Sequence, residues 1–223
     1  MKKHVFTCLI LFMLAPFHSV FAALLLPLDV NDLYISKKHD SANPANEWTT
    51  STQGLDRVEI GGQQYVKAGT WNSHGDGNYD EFLFRSTETA VYGADGSMIW
   101  QIGPIGTTWS FSSYWADTAL SGSIVNEIIS IESVTVPYGT FNNAYVTQAY
   151  FDFDDPSLAN TAYWYDYIVA GVGSVKQIDY TWSTNGPAIE ELVQISRVPN
   201  SASIWLLGSG LIGLIGLAKL KKD

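Results

Sequence analysis

Turn-forming pairs of small residues recur at short intervals in the middle of this chain, between segments rich in aromatic and β-branched residues. Gly61-Gly62 separates residues 56–60 from 63–68, and a longer turn over 93–96 separates two further segments. A glycine pair between such segments is typical of a β-hairpin, because both turn positions can take positive φ. Connections this short place consecutive strands antiparallel. The sequence therefore predicts an all-β domain, a single antiparallel meander of about ten strands that forms a curved sheet, a half-barrel or a sandwich.

The segment 124–136 predicts a long strand with one irregularity. Apolar residues at 129 and 131 are followed by apolar residues at 134 and 136. Side chains alternate between the two faces of a strand, so this change of phase predicts a β-bulge near Glu132 and Ser133. In the next strand, alternate residues from Tyr145 to Phe153 are expected to share one face. Residues 33–54, by contrast, are rich in Ser, Thr, Asn and Asp, which predicts a loop or a mobile N-terminal arm.

The first 22 residues are typical of a secretory signal peptide. Lys2 and Lys3 form its positive start, and a small-residue cleavage pattern ends at Ala22. We expect cleavage between Ala22 and Ala23, which leaves a mature domain over residues 23–197. The single cysteine, Cys8, lies in the signal, so the mature domain has no disulfide and must obtain its stability from its core.

The C-terminal residues 198–223 combine an uncharged stretch with a basic end. Residues 201–218 carry no charge, and as a helix they would be roughly 27 Å long, close to the thickness of the hydrocarbon core of a bilayer. Trp205 lies near one end, at a depth where the headgroup boundary favours an amphipathic ring. The lysines beyond residue 218 suit the cytoplasmic side. This segment therefore predicts a transmembrane helix over 201–218 with a basic tail.

The order of these parts resembles the PEP-CTERM protein-sorting signal, in its variant with a Val-Pro start and a Trp-Leu-x-Gly-Ser-Gly-Leu core. The resemblance implies processing by an exosortase, a membrane protease-transpeptidase of Gram-negative exopolysaccharide producers. It implies export to the inner membrane and then to the cell surface or medium. The partners would be signal peptidase, an exosortase-like enzyme, the membrane itself and, as a further candidate, an exopolysaccharide. The positions that carry the match are Val198, Pro199, Asn200, Trp205, Gly208, Gly210, Lys219, Lys221 and Lys222.

The mature domain is strongly acidic. Residues 23–197 contain 21 acidic and 7 basic side chains, a net charge of −14. Such a charge argues against nucleic acid or anionic lipid as a ligand.

Residues with metal-binding or catalytic chemistry are sparse. The run 74–81 holds four oxygen-bearing side chains that could ligate Ca²⁺, namely Asp76, Asn78, Asp80 and Glu81. A solvated turn between two strands explains the same run without a metal, since the spacing of a known calcium loop is missing. No Gly-x-Ser-x-Gly elbow or Ser–His pair occurs, and no catalytic residue or cofactor is predicted.

A second, weaker resemblance concerns the β domain. Residues 133–144 and 170–176, with Tyr163-Trp164-Tyr165 between them, resemble a pattern of uncharacterised secreted β-rich bacterial proteins. That resemblance implies a curved half-barrel similar to the lipoprotein carriers LolA and LolB. It carries no catalytic motif and bears on the fold alone.

These observations favour a non-enzymatic exported protein of the cell surface or extracellular matrix. One alternative is a polysaccharide-binding module, which predicts exposed coplanar aromatic rings on one face of the sheet. Another is an extracellular hydrolase, which predicts a cleft with two close carboxylates. A carrier of a small apolar ligand is also open, and it predicts an apolar cavity on the concave face. The tryptophans that bear on these alternatives, most of them expected in the core, are Trp48, Trp71, Trp100, Trp109, Trp115, Trp164 and Trp182.

Overall fold

The computed structural model describes residues 25–73, 79–115, 120–155, 163–180 and 186–197 of the 223-residue chain, with only the backbone at 114, 115 and 120. The predicted signal peptide and the predicted sorting segment lie outside these ranges. Within them, no helix is long and apolar enough to cross a membrane.

Twelve strands account for most of the described residues, and all of them belong to one sheet. They are β1 (Leu33–Asp40), β2 (Asn43–Ile60), β3 (Gln63–Asn72), β4 (Tyr79–Ser86), β5 (Ala90–Gly93), β6 (Met98–Gln101), β7 (Thr108–Trp115), β8 (Leu120–Val136), β9 (Gly139–Phe153), β10 (Tyr163–Val169), β11 (Gly173–Asp179) and β12 (Ala188–Ser196).

The strands pair with their neighbours in sequence, with two exceptions: β1 pairs with β12, and β6 and β7 are the two ends of the strand order. The order runs β6-β5-β4-β3-β2-β1-β12-β11-β10-β9-β8-β7, with antiparallel neighbours throughout. The pairing of β1 with β12 joins the two ends of the domain, and it leaves β6 and β7 at the two edges. The indole Nε1 of Trp109 on β7 donates to the carbonyl of Ile99 on β6 at 3.1 Å, across these edges. The sheet is therefore a nearly closed, barrel-like structure rather than a sandwich.

The predicted hairpins are confirmed. Gly61 and Gly62 both have positive φ (59° and 77°) and join β2 to β3, with Ile60 paired to Gln63. Residues 94–97 join β5 to β6, and the turn at 137–138 joins β8 to β9. Short turns between neighbouring strands were therefore readable from residue type alone.

The predicted bulge in β8 is confirmed, and a second one accompanies it. The register of β8 against β9 shifts between Glu132 and Val134, as expected, and also between Ile128 and Ser130. Ile129 and Ile131 lie on the surface, with 37% and 43% exposure, whereas Val134 and Val136 are buried, so the two pairs do not share the face that the apolar pattern predicted. In β9 the predicted face is also present, with four of its alternate residues buried: Thr147, Ala149, Phe151 and Phe153.

The predicted loop or arm over 33–54 is wrong, because this segment forms β1 and the first two thirds of β2. Its polar residues misled the prediction. Tyr34 is buried, but most other side chains of β1 are only partly covered, so the segment lacks a clear apolar alternation. Pairing with β2 on one side and β12 on the other stabilises β1 as a strand despite its composition.

The first described residues, 25–32, form a segment that lies against the sheet ahead of β1. Its backbone forms hydrogen bonds to the rest of the domain at two places. Leu25 N donates to Thr87 O at 2.6 Å, and Asn31 N donates to Gly54 O at 2.7 Å. Leu25 and Leu28 are buried in the main apolar cluster. Gly54 lies where this segment touches β2, since a Cβ there would be 2.0 Å from the carbonyl oxygen of Asp29. The segment 25–32 is therefore attached to the sheet near both of its ends and contributes two leucines to the core.

We predict that Gly54→Ala destabilises the fold by roughly 1–3 kcal/mol, because the added methyl group overlaps backbone atoms that cannot move freely. The measurement is the midpoint of urea unfolding. Gly139→Ala is the matched control, since a Cβ at Gly139 has no atom within 4 Å. Equal midpoints for the two variants would contradict the role assigned to Gly54.

Candidate functional site

The interior of the sheet contains a cavity of about 390 Å³, within the size range of small-molecule binding sites. It lies between β4–β6 on one side and the strands from β10 through β12 to β2 on the other, and the N-terminal segment contributes to its wall. The lining residues are Leu26, Leu28, Tyr34, Ser36, Thr52, Phe82, Phe84, Val91, Ile99, Trp100, Asp166, Ser174, Val175, Lys176, Gln177, Glu190 and Leu192.

One wall of the cavity is apolar. It comprises side chains from β4, β5 and β6 together with two leucines of the N-terminal segment. Phe84 and Val91 are each 1% exposed, so this wall is continuous with the main core. A surface of this kind offers no hydrogen-bond partners and favours an aliphatic or aromatic ligand group.

The opposite wall, here called the polar wall, consists of Ser36, Thr52, Asp166, Ser174, Lys176, Gln177 and Glu190. Its centre is Asp166 on β10, which is 3% exposed.

Three donors hold the Asp166 carboxyl group in place. Trp164 Nε1 donates to its Oδ2 at 3.1 Å, Gln177 Nε2 donates to its Oδ1 at 3.2 Å, and the Ser174 hydroxyl lies 3.4 Å from the same Oδ1. Burial raises the pKa of Asp166 to about 6, although these hydrogen bonds oppose the rise. The group therefore titrates close to neutral pH.

Glu190 on β12 is the second carboxyl group of the polar wall. Burial raises its pKa, while the positive charge of Lys38 and a hydrogen bond from Ser36 act in the opposite direction. Lys38 itself lies 3.8 Å from Asp179. Both acids of the polar wall thus have a raised pKa for the same reason, which is removal from water.

Neither Asp166 nor Glu190 forms an ion pair with a described residue. The ion pairs found in the described ranges that lie nearest to the cavity are Lys38–Asp179 and Lys176–Glu191 (2.8 Å). Buried carboxylates are ordinarily paired or protonated, because an isolated charge is costly away from water. The two acids of the polar wall thus border the cavity without a direct ion pair of their own.

The predicted calcium ligands do not form a described metal site. Asp76 and Asn78 lie outside the described residues. Glu81 binds Lys67 at 2.6 Å and accepts a hydrogen bond from Tyr79 at 2.6 Å, and these two contacts lower its pKa. Asp80 pairs with Thr70 across β3 and β4. No group of three potential metal ligands occurs among the residues that the structure describes.

The aromatic residues are less buried than expected. Trp109 is buried, Trp71 is exposed, and Trp48, Trp100 and Trp164 are partly buried. Trp115 and Trp182 have no described side chain. The exposed Trp71 and Tyr79 rings lie 4.9 Å apart at an angle of 39°. This pair does not form the coplanar platform that the polysaccharide-binding alternative predicts.

The cavity and its acids were missed by residue-level reasoning, although a signal was present. Asp166 interrupts the otherwise aromatic and aliphatic run from Tyr163 to Val169. A carboxyl group in the middle of a strand that is expected to be buried needs either a hydrogen-bond network or a ligand. The predicted sorting residues from Val198 to Lys222, and the cleavage site at Ala22-Ala23, lie outside the described residues.

Comparison with known proteins shows the fold alone. No protein-family model matches the chain, and no curated protein matches it. A predicted exported protein with a YmcC-like fold from Bacteroides fragilis superposes with a TM-score of 0.57 and 13% identity, over 78% of this chain and 100% of that one. A predicted lipoprotein from Parabacteroides distasonis superposes with a TM-score of 0.53 and 15% identity, over 78% of this chain and 99% of that one. The chain thus has the fold of these β-rich proteins.

We predict that Asp166→Asn flattens the dependence of stability on pH. The folded-state pKa of about 6 lies above the unfolded value near 3.8. The stabilising contribution of Asp166 is therefore complete below pH 3.8 and is lost as the pH rises through 6. Relative to the variant, the native protein should lose roughly 2 kcal/mol of unfolding free energy between pH 4 and pH 7.

Urea unfolding at pH 4, 5, 6 and 7 measures this difference. Asp152→Asn is the control, because it makes the same charge change at an exposed position of β9. If the unfolding free energies of the two variants depend on pH in the same way, the raised pKa of Asp166 is refuted.

Proposed function

We propose that this protein is an exported, non-enzymatic binding protein of the bacterial envelope or surface, and that its interior holds one small amphiphilic molecule. The observation that carries the proposal is the cavity of about 390 Å³ with an apolar wall facing a polar wall. A carrier of a small apolar ligand was one of the alternatives open from the sequence, and it required a cavity of this kind.

The lining favours a molecule with a hydrocarbon part over a sugar. A sugar presents hydroxyl groups on all its edges and would leave them without partners against Phe82, Phe84 and Val91. An amphiphile matches both walls, since its tail contacts the apolar wall and its head the polar one.

The hydrolase alternative has one observation in its favour, because Asp166 and Glu190 line the same cavity. However, both oxygens of Asp166 already accept hydrogen bonds from fixed donors. A general acid or base must also reach its substrate within hydrogen-bond distance. We therefore place these acids in binding rather than catalysis.

Export and sorting are supported by the terminal segments. The predicted signal peptide and the resemblance of residues 198–223 to a PEP-CTERM signal both indicate a route out of the cytoplasm. Two proteins with the same fold are described as exported or as a lipoprotein. On this proposal the β domain is delivered to the envelope, and the C-terminal segment is then removed or retained by an exosortase-like enzyme.

We predict that a photoreactive diazirine analogue of decanol labels the cavity. The probe is irradiated with the full chain in nanodiscs of zwitterionic lipid, and labelled peptides are identified by mass spectrometry. Ile99→Trp should reduce labelling of residues 82–100 by about tenfold, because the larger side chain fills the space that Ile99 borders.

Ile131→Trp is the matched control, since Ile131 is exposed on the opposite surface of the sheet and does not border the cavity. It should leave the labelling unchanged. Labelling spread evenly over the sheet, and insensitive to Ile99→Trp, would refute the proposed binding function.

We further predict that the mature protein begins at Ala23 and has lost the residues after about Val198. Intact-mass spectrometry of protein from the native envelope and medium measures both ends. An unprocessed C-terminus found only in the inner membrane would rule out exosortase sorting, and it would leave the binding function to be judged by the labelling experiment.

A further inference from the structure

We propose that the head group of the bound amphiphile is cationic, an amine or substituted ammonium that lies against Asp166 and Glu190. This inference rests on the proposed function and specifies the ligand class of the same cavity. The observation behind it is that two buried acids border the cavity and neither lies within ion-pair distance of a described basic side chain, although Lys38 is the cross-strand neighbour of Glu190 and Lys176 also borders the cavity.

The two acids are placed to share one cation. Asp166 is paired with Gln177 across β10 and β11, and Gln177 is paired with Glu190 across β11 and β12. Two strand spacings separate the Cα atoms of the acids by roughly 10 Å. Because all three side chains border the cavity, a head group placed over Gln177 would have a carboxylate on each side.

The basic side chains nearby are already engaged elsewhere. Lys176 pairs with Glu191 at 2.8 Å, and Lys38 lies 3.8 Å from Asp179. Lys38 therefore acts on two acids, Asp179 and Glu190.

The remaining contacts of Asp166 are neutral. Trp164, Ser174 and Gln177 donate to its carboxyl group, and the Thr147 hydroxyl lies 3.5 Å from its main-chain carbonyl. Hydrogen bonds of this kind orient a carboxylate but do not cancel its charge. A ligand cation would supply the missing charge in surroundings where an ion pair is strong.

The same arrangement disfavours an anionic head. A carboxylate or phosphate in this position would face two like charges, while the two nearby lysines are engaged with Asp179 and Glu191. The preference for a cationic head group should also depend on pH, because Asp166 changes from neutral to charged as the pH rises through about 6. Preference for a cation should be weak at pH 5 and strong at pH 8.

The test is competition against the diazirine analogue of decanol, using the full chain in zwitterionic nanodiscs. The competitors are decylamine, decanol and decanoate, which share one tail length, and partition of each into empty nanodiscs is measured and subtracted. At pH 8 decylamine should displace the probe at a concentration at least about tenfold lower than decanoate, a difference of about 1.4 kcal/mol. At pH 5 the advantage of decylamine over decanol, neither of which changes its charge between the two pH values, should fall by about threefold or more.

Two variants locate the effect. Asp166→Asn and Glu190→Gln should each reduce the preference for decylamine while decanol still displaces the probe, which also shows that the cavity has folded. Asp152→Asn should retain the full preference for decylamine. The native protein should also retain it in 0.5 M salt. These two results would exclude long-range attraction of decylamine by the net charge of the domain.

The outcomes separate this inference from the proposed function. If decanol displaces the probe but decylamine is no better than decanoate, the cationic head is refuted and the binding function stands. The inference is also refuted if both polar-wall variants keep the native preference. If none of the three competitors affects labelling of the cavity, the proposed function itself fails.

Discussion

The pairing of β1 with β12 is the contact on which the rest of this structure depends. It joins Leu33 to Ser196, near the two ends of the described chain, while every other pairing of named strands links sequence neighbours. Without it, two meanders would remain with no common interior. With it, β4 to β6 come to face β10 to β12, and the cavity is the space between them. Closing so long a loop costs chain entropy, and burial of Tyr34 and Leu192 beside the seam offsets part of this cost.

The interior has two parts, an apolar cluster and a cavity with buried carboxyl groups beside it. At one end, Ile124, Ala149, Phe151 and Phe153 pack as a dry cluster, and Phe151 and Phe153 lie with ring centroids 4.3 Å apart. At the other end, the cavity remains open and carboxyl groups are buried beside it. A protein selected for stability alone would fill that space and replace the acids. On the proposed function, the cost of keeping a void beside buried acids is recovered when a ligand enters.

The N-terminal segment links processing to this interior. Leu25 is fully buried and bound to Thr87, only two residues after the predicted cleavage site. Leu26 and Leu28 border the cavity, and the side chain of Leu26 covers Gly173, where a Cβ would lie 2.6 Å from its Cδ1. The residues just after the predicted cleavage site therefore form part of the cavity wall.

Local rules in the sequence determined the all-β class, the hairpins at Gly61-Gly62 and 137–139, and the bulge near Ser133, because each depends on neighbouring residues and on the alternation of side chains. The polar strand β1 could not be recognised in this way, since its stability comes from partners on both sides and not from its own pattern. The cavity could not be recognised either. Asp166, Glu190 and Phe84 become neighbours of one space only when the sheet curves and closes, and closure depends on a pairing between residues more than a hundred positions apart in the chain.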